Sequence, residues 1–515
     1  MAGFVLAVSQ PGGPARAETA PDPVCAPATS AADRLADVVF IGESAYLSDA
    51  VLAAIEGRFV GCSVTALDPV RVAEAVNAAY AAHPAPLAFA RPVGVDDSTV
   101  SVELVEIRYE DIRVRGNDST SAGYVIGRSG AEPGAPADVA ALQRRLGAVP
   151  ETDDIRIEAD IEPGTALNTS DLILTVEEPP RFGLTATVDN WGPPETGRVQ
   201  VGLTGTVRSL VGRRDNLTVA ATGSQGARSI AGVYSVPVNP RGTRLALSAA
   251  YDESERIAGD PLLLGLRSDT LTLGASLANP LRAGDFGNDI VTAGVSHLVD
   301  GSVLAGFDIR DQATTEFSLG SRHVRRSPGR YSVTLSHDLV YGTTRDRIAA
   351  DRFDYWRWNG SVGAVLRIAG PVMASIEGGW QLSGEPVASA VRFAATGPTV
   401  VRGYPATSGG GDAGFYLRNQ VSAFRQFSPE QWPVDLEVTP YLFSDIGEAF
   451  NHGATGLQGN GLAHSVGAGI DLAVLSRDED RRGLRGTVFV AMPLRDTTGF
   501  SADDPFVGVS MAVSF

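Results

Sequence analysis

The sequence predicts two small α+β units followed by an all-β transmembrane barrel of about sixteen antiparallel strands. From residue 181 onward, short stretches of alternating apolar and polar residues follow one another without a helical period. Before residue 179, a strand-helix-helix-strand-strand pattern occurs twice. No stretch approaches the roughly 18 consecutive apolar residues that a helix needs to cross a bilayer.

The composition is that of an ordered protein, because 43% of the 515 residues are apolar and 20% are charged. The 60 acidic and 42 basic side chains give a formal net charge of −18. Binding to nucleic acid needs clustered cationic side chains, so this balance excludes a nucleic-acid partner. The one short basic run, residues 322–326, is interpreted as a solvated turn between strands.

The first 35 residues predict export. A short apolar run at Phe4–Val8 and a small-x-small pattern at Ala15–Ala17 indicate a signal peptide over residues 1–17. An extended leader rich in Ala, Pro, Ser and Thr follows over residues 18–35. The only two cysteines, Cys25 and Cys62, either pair in an oxidising compartment or stay unpaired.

The first α+β unit is predicted over residues 36–109. It begins with a strand at Asp37–Ile41, and Ser48 then stands at the N-cap of a short helix. Asp68, followed directly by proline, is a strong start for a second helix. The segment Thr99–Arg108 alternates as a closing strand.

The second unit is predicted over residues 110–178 and repeats this order. Its elements are a strand at Asp111–Arg115, helices at Ala122–Arg128 and Ala137–Leu146, and strands at Ile155–Ile161 and Asp171–Val176. Two consecutive prolines, at positions 179 and 180, make a stiff joint and predict a domain boundary.

The barrel is predicted over residues 181–515. The last stretch places five apolar side chains on one face, and this alternation runs to the terminal Phe515, as expected of a last strand that seals against the first. All five tryptophans fall in this region and are expected in interfacial aromatic girdles: Trp191, Trp356, Trp358, Trp380 and Trp432.

Two short motifs lie in the C-terminal third. The first precedes a predicted hairpin of strand 415–427, turn 428–433 and strand 434–449, and the second lies on the second strand of that hairpin. The first is Val401-Arg402-Gly403-Tyr404 and the second is Phe443-Ser444-Asp445-Ile446-Gly447. An arginine that a loop carries into a barrel lumen needs a carboxylate partner, and Asp445 is the obvious one. Gly403 allows a sharp turn, Tyr404 can stack or hydrogen-bond on the inner wall, and Gly447 leaves room for the loop.

The two units, the barrel and both motifs together resemble the outer-membrane transporters of two-partner secretion, the haemolysin and filamentous-haemagglutinin exporter family. The resemblance implies that the α+β units are periplasmic POTRA domains. It also implies that residues 401–404 lie at the tip of the sixth extracellular loop, folded back onto a wall motif of Phe443, Asp445 and Gly447. Phe515 would be the assembly signal. Residues 188–198 are similar to the family's first barrel hairpin.

By this resemblance the chain would recognise one large secreted exoprotein through its POTRA domains and export it across the outer membrane, without a cofactor. Its other partners would be outer-membrane lipids and, during biogenesis, the barrel-assembly machinery. The alternative within the same superfamily is an insertase for barrel proteins. Members commonly begin with a plug helix, which we expect to be absent or vestigial here. The Pro-rich residues 85–94 predict an irregular edge in the first unit.

Other classes of function find little support. Residues 408–411 are glycine-rich but lack the Lys-Ser/Thr that completes a nucleotide-binding loop, and no Gly-x-Ser-x-Gly elbow of a hydrolase appears. A passive diffusion channel would leave the two N-terminal units without a role. The histidines show no metal-ligand spacing and are interpreted as ordinary loop or lumen residues: His83, His297, His323, His337, His452 and His464. We therefore expect no metal site and no enzymatic activity.

Overall fold

The computed structural model describes residues 25–83, 87–284, 286–406, 410–453, 456–477, 482–494 and 505–515. The predicted signal peptide and the first part of the leader lie outside these residues. The chain divides into two compact units, one made of residues up to 111 with 132–141 and 161–172, the other of residues 112–131, 142–160 and 173–515. Among the described residues, no helix is long and apolar enough to cross a membrane.

The smaller unit contains the first predicted set of elements in the predicted order. These are β1 (Asp37–Ile41), α1 (Asp49–Phe59), α2 (Pro69–Ala81), β2 (Ala88–Asp96) and β3 (Thr99–Glu106). Strand β3 lies in the centre of the sheet, parallel to β1 and antiparallel to β2.

Local sequence explains how these elements begin and end. The Asp68 carboxylate accepts a hydrogen bond from the backbone N–H of Val70 and so caps α2 as predicted. In α1 the side chains of Ile55 and Phe59 are buried, whereas Val51, one helical turn before Ile55, is exposed. The irregular edge is also observed, as a register shift in β2 next to Pro92.

The second set of elements also follows the predicted order. These are β4 (Arg108–Arg115), α3 (Ala122–Ser129), α4 (Val139–Gly147), β5 (Arg156–Pro163) and β6 (Thr169–Glu177), with the three strands in the order β4-β6-β5. Helix α3 ends where Gly130 adopts a left-handed conformation with φ +64°. Four short 3₁₀ turns complete the helical structure of the described chain: Ala31–Asp33, Val149–Glu151, Pro261–Leu263 and Ser389–Val391.

Cys25 and Cys62 form a disulfide, with their Cα atoms 5.8 Å apart. The alternatives that the sequence left open are thus resolved in favour of pairing. Backbone bridges from Pro27 to Cys62 and from Arg34 to Ser63 run beside the bond. Together they fasten the described part of the leader to the segment that follows α1.

From Phe182 onward the structure is a closed antiparallel barrel. Its segments are β7 (Phe182–Asp189), β8 (Gln200–Arg208), β9 (Asn216–Gly223), β10 (Ala227–Pro237), β11 (Arg244–Glu255), β12 (Arg267–Gly284), β13 (Gly287–Leu304), β14 (Phe307–Ser327), β15 (Tyr331–Asp346), β16 (Asp351–Ala369), β17 (Val372–Ser383), β18 (Ala413–Ala423), β19 (Arg425–Phe427), β20 (Val434–Gly453), β21 (Gly456–Ser476), β22 (Gly483–Pro493) and β23 (Phe506–Ser514). Segments β18 and β19 both pair with β20 and are two parts of one strand, so the described barrel has 16 strands, as predicted.

The last strand closes the barrel against the first. Strand β23 pairs with β7 from Ser510 opposite Asp189 to Ser514 opposite Thr185. The backbone N–H of Phe515 then donates to the carbonyl of Leu184 at 2.9 Å, so the pairing extends to the last residue. The exposed side chains of Val507, Val509 and Met511 form the outer face of β23, as the alternation predicts.

Two features of the barrel differ from the sequence prediction. Residues 322–326 do not form a turn but belong to β14. Their charges are accommodated at the end of the strand, where Arg325 pairs with Asp289 and Arg326 pairs with Glu151. Trp191 does not lie in an outer girdle. It packs on Phe489, with ring centroids 6.4 Å apart, against a buried aromatic cluster of the inner wall.

The disulfide predicts that the purified chain has no free thiol under non-reducing conditions. In the chain-entropy model, closing a loop over a sequence separation of 37 residues stabilises the smaller unit by about 3–4 kcal/mol. Mass spectrometry after denaturing alkylation should find both cysteines unmodified unless a reductant is added first. Two alkylated cysteines in the unreduced sample would contradict the pairing.

Candidate functional site

The first motif lies in the long connection between β17 and β18, residues 384–412, which bends back against the inner face of β20 to β22. Val401, Arg402 and Tyr404 are all buried. Gly403 adopts φ +95°, and a Cβ atom there would lie 3.2 Å from the Cβ of Ala491 on β22. The tip of the loop therefore requires glycine both for its backbone conformation and for its close approach to the wall.

The second motif lies on the part of β20 that this loop contacts. Leu442 is exposed on the outer face, so the alternating residues Phe443, Asp445 and Gly447 point into the barrel. A Cβ atom at Gly447 would lie 2.6 Å from the carbonyl oxygen of Ala395 and 2.9 Å from Val401. The missing side chain at Gly447 is thus what admits the loop.

Arg402 and Asp445 form a two-pronged ion pair in this contact. Nε of Arg402 lies 2.7 Å from one carboxylate oxygen of Asp445, and Nη2 lies 2.8 Å from the other. The backbone N–H of Arg402 also donates to the carboxylate, at 3.2 Å. The two side chains are 3% and 0% exposed, so the pair is shielded from bulk water.

The remaining faces of the guanidinium are also occupied. Nη1 donates to the side-chain oxygen of Gln420 on β18 at 3.0 Å, and the guanidinium carbon lies 3.6 Å from the ring centroid of Phe443. A desolvated arginine above an aromatic face gains cation–π attraction in addition to its hydrogen bonds. The structure thus brings four of the predicted site residues, Arg402, Phe443, Asp445 and Gly447, into one cluster.

Tyr404 anchors the other side of the loop tip. Its hydroxyl donates to the carbonyl of His464 at 3.1 Å and accepts from the backbone N–H of the same residue at 3.2 Å. The side chain packs with Val401 in a small apolar cluster against the barrel wall. Tyr404 therefore hydrogen-bonds to the inner wall, one of the two contacts that the sequence predicts.

A second anchor of the loop was missed by the sequence analysis. The Asp412 carboxylate accepts hydrogen bonds from the backbone N–H groups of Val387 and His452, at 3.1 and 2.9 Å. The side-chain amide of Gln381 donates to the carbonyl of Asp412 at 3.0 Å and to that of Val391 at 3.1 Å. Both ends of the loop are thereby tied to the barrel.

At the opposite end of the barrel, the connection between β8 and β9 carries Arg214, whose side chain is completely buried. Its Nε and Nη2 lie 2.9 and 2.6 Å from one carboxylate oxygen of Asp154, and Nη1 lies 3.5 Å from Glu178. The hydroxyl of Ser119 accepts a further hydrogen bond from Nη1 at 3.2 Å. Three polar side chains thus converge on one arginine.

The hydrogen bonds around Glu178 keep it acidic. Partial burial acts to raise its pKa, but donation from the side chains and backbone N–H groups of Ser119 and Thr120 outweighs burial and holds the pKa below its usual value. Glu178 therefore remains an anion beside Arg214 at neutral pH.

Neighbouring carboxylates make equivalent contacts with two barrel strands and with α3. Asp153 lies 2.9 Å from Arg244 of β11 and 3.3 Å from Arg128 of α3. Glu151 pairs with Arg326 of β14 through two contacts of 2.9 and 3.0 Å. We call residues 151–154 the acidic clamp, because three carboxylates within four residues hold three different strands or turns of the barrel.

The chain is similar in sequence to one known protein family. The family model described as haemolysin secretion/activation protein ShlB/FhaC/HecB matches residues 168–473, more than half of the chain. No curated protein sequence matches.

Solved structures of CdiB are similar over nearly the whole chain. CdiB from Escherichia coli has a TM-score of 0.68 at 18% identity, covering 96% of this chain and 94% of that one. CdiB from Acinetobacter baumannii has a TM-score of 0.64 at 14% identity, covering 97% and 93%. BamA from Haemophilus ducreyi lacking POTRA domains 1–3 has a TM-score of 0.54 at 13% identity, covering 94% and 100%. At these identities the similarity establishes the fold, and the small N-terminal sheets and helices are consistent with POTRA domains.

Arg402→Ala should release the loop from the wall, because it leaves the Asp445 carboxylate buried without its partner at a cost of about 3–5 kcal/mol. Limited proteolysis of the folded protein with proteinase K should then cut within residues 384–412 at least about tenfold faster. Arg418→Ala is the matched control, because Arg418 also contacts this loop, at the carbonyl of Thr399, but pairs with an exposed carboxylate. Equal cleavage of the Arg402→Ala variant and the wild type would contradict a docked loop.

Arg214→Ala should loosen the segment around residues 117–120, because Asp154 and Glu178 then lose their buried cation. Hydrogen-deuterium exchange should show faster exchange of the amides of Ser119 and Thr120. Arg213→Ala is the control, because its side chain is exposed on the same turn. The assigned role of Arg214 fails if both variants exchange at the wild-type rate.

Proposed function

Because this chain belongs to the ShlB/FhaC/HecB family of haemolysin secretion/activation proteins, and is thereby an outer-membrane transporter of the two-partner secretion type, we propose that it captures one large exoprotein and exports it through its barrel. The observation that carries this proposal is the loop of residues 384–412 held inside a closed barrel by the buried pair of Arg402 and Asp445. A barrel that only had to be stable would not need a long polar loop bound in its lumen.

We propose that residues 36–109 and 110–178 are two periplasmic POTRA domains and that residues 181–515 form the membrane domain. The acidic clamp supports this assignment, because it ties the second domain to barrel turns at the end where the chain enters β7. The same end of the barrel would then face the periplasm, and residues 384–412 would form the sixth loop at the extracellular end.

Capture of the exoprotein would use a free sheet edge of the first domain. Within the described residues β2 pairs with no strand other than β3. At Ala90 the other edge of β2 is occupied by the side chain of Asn77, and beyond that residue it can receive a further strand. Phe89, Val93 and Val95 on this strand have exposed apolar side chains. An extended segment of the exoprotein can add to such an edge through main-chain hydrogen bonds, while its side chains contact the apolar groups.

Export itself needs no catalytic step and no cofactor in this proposal. Folding of the exoprotein outside the cell would supply direction. Phe515 would serve as the signal that the barrel-assembly machinery reads, since its backbone completes the seam between β23 and β7 and its side chain is exposed. Outer-membrane lipids would surround the apolar outer face of the barrel.

The proposal is tested by comparing proteins in the culture medium of cells that express the wild type, Arg402→Ala, Asp445→Asn or Arg418→Ala. Disruption of the buried pair should lower the amount of one large exoprotein at least about tenfold, whereas Arg418→Ala should leave it near the wild-type level. Heat-modifiable gel mobility must show that each barrel is folded and inserted.

The same cultures separate export from the alternative of barrel insertion. Deletion of the whole gene should remove one exoprotein from the medium and leave the other outer-membrane barrels unchanged. A general loss of barrel proteins would instead indicate an insertase. Normal secretion by a folded Arg402→Ala variant would remove the pair from the transport mechanism.

A further inference from the structure

A polar cluster interrupts the apolar outer face of the barrel on β13, β14 and β15. On β14 the outward face carries Phe317 and Leu319, which are 54% and 61% exposed. By the two-residue period of a strand, Ser321 and His323 follow on the same face. Asp289 of β13 stands directly opposite His323, and His337 of β15 stands directly opposite Ser321.

These side chains form one chain of hydrogen bonds. The Asp289 carboxylate lies 2.8 Å from Nδ1 of His323, and Nε2 of the same ring lies 2.9 Å from the hydroxyl oxygen of Ser321. The carboxylate selects the tautomer in which Nδ1 carries the proton, which leaves Nε2 free to accept the serine proton. This is the connectivity by which a serine hydroxyl is activated as a nucleophile.

Two further side chains, Arg325 and His337, complete the cluster. Nη2 of Arg325 lies 2.7 and 3.0 Å from the two oxygens of Asp289 and so holds the carboxylate ionised and in place. Nε2 of His337 lies 2.9 Å from the Ser321 hydroxyl. From there its N–H can donate to negative charge that develops next to the serine.

Transport does not explain this cluster. Ionisable side chains on a lipid-facing surface are costly and rare, and they mark functional sites more often than structural ones. The ring of His323 is 39% exposed, so a lipid molecule can reach it from outside the barrel. Arg326, three residues after His323, binds Glu151 of the acidic clamp, which places the cluster in the half of the barrel nearest the acidic clamp.

We propose that Ser321, His323 and Asp289 form a lipid-facing acyl-ester hydrolase site whose substrate is a phospholipid of the periplasmic leaflet. The choice of leaflet rests on the orientation given under Proposed function. Ser321 and His323 would be the catalytic residues, His337 would stabilise the oxyanion, and Asp289 and Arg325 would be positioning residues.

The reaction balances with water as the only co-substrate. Ser321 Oγ attacks the ester carbonyl carbon while its proton moves to Nε2 of His323, and the acyl C–O bond then breaks as that proton passes to the leaving lysophospholipid oxygen. Water next attacks the acyl-serine and gives a proton to His323. Breakage of the serine ester returns this proton to Oγ and releases a fatty acid.

A fluorophosphonate probe tests the site on the full-length protein in detergent, followed by peptide mass spectrometry. We expect the label on Ser321, with loss of labelling in Ser321→Ala and wild-type labelling in Ser318→Ala, which removes a serine from the opposite face of the same strand. Liposomes of phosphatidylethanolamine and phosphatidylglycerol should release fatty acid and lysophospholipid with the wild type, and at least about 100-fold more slowly with Ser321→Ala.

The Asp289→Asn variant tests whether Asp289 positions His323 for catalysis or only stabilises the folded barrel. The variant should label Ser321 more slowly, because the amide can donate to Nδ1 of His323 and so favour the tautomer in which Nε2 carries a proton and cannot accept one from Ser321. Asp289→Glu should restore much of the labelling rate. Absence of label on Ser321 in a heat-modifiable barrel, or equal lipid hydrolysis by wild type and Ser321→Ala, would overturn the proposal. Exoprotein secretion by Ser321→Ala should stay normal. A negative result for the hydrolase site would therefore leave the proposed transport function untouched.

Discussion

A sheet that crosses a membrane must satisfy every backbone N–H and C=O group within itself, and the rest of this structure depends on that constraint. Closure between β23 and β7 leaves no edge toward lipid, and each strand then has one face for lipid and one for the lumen. The face toward lipid must carry apolar side chains. The face toward the lumen can carry polar side chains, and a loop with its own charges can bind there.

Buried charged side chains must likewise find hydrogen-bond partners within the protein. Arg402 and Arg214 are both removed from bulk water, and each is surrounded by oxygen acceptors from separate parts of the chain. A guanidinium has five donors in one plane, so it can join several segments at once where a lysine would supply a single charge. Arg402 fixes the loop in the lumen, and Arg214 fixes Ser119, Asp154 and Glu178 to the turn between β8 and β9.

Much of the fold could be predicted because it depends on local patterns. Alternation identified the barrel, the Asp68 cap identified α2, and the spacing of the two motifs indicated the contact between Arg402 and Asp445. The Arg214 cluster could not be found in this way, because its partners come from positions 119, 154 and 178 and only the folded chain brings them together. The Ser321 cluster is equally hidden, since its aspartate lies on another strand and no linear motif links it to His323.

The acidic clamp also limits how such chains can recombine. Its carboxylates belong to the N-terminal region and their arginine partners belong mainly to the barrel, so neither half is electrostatically complete without the other. A chimaera that joined this barrel to foreign N-terminal domains would leave Arg214, Arg244 and Arg326 without their counter-charges unless the matching acids were transferred as well. The two halves are therefore expected to be inherited as one module rather than exchanged separately between relatives.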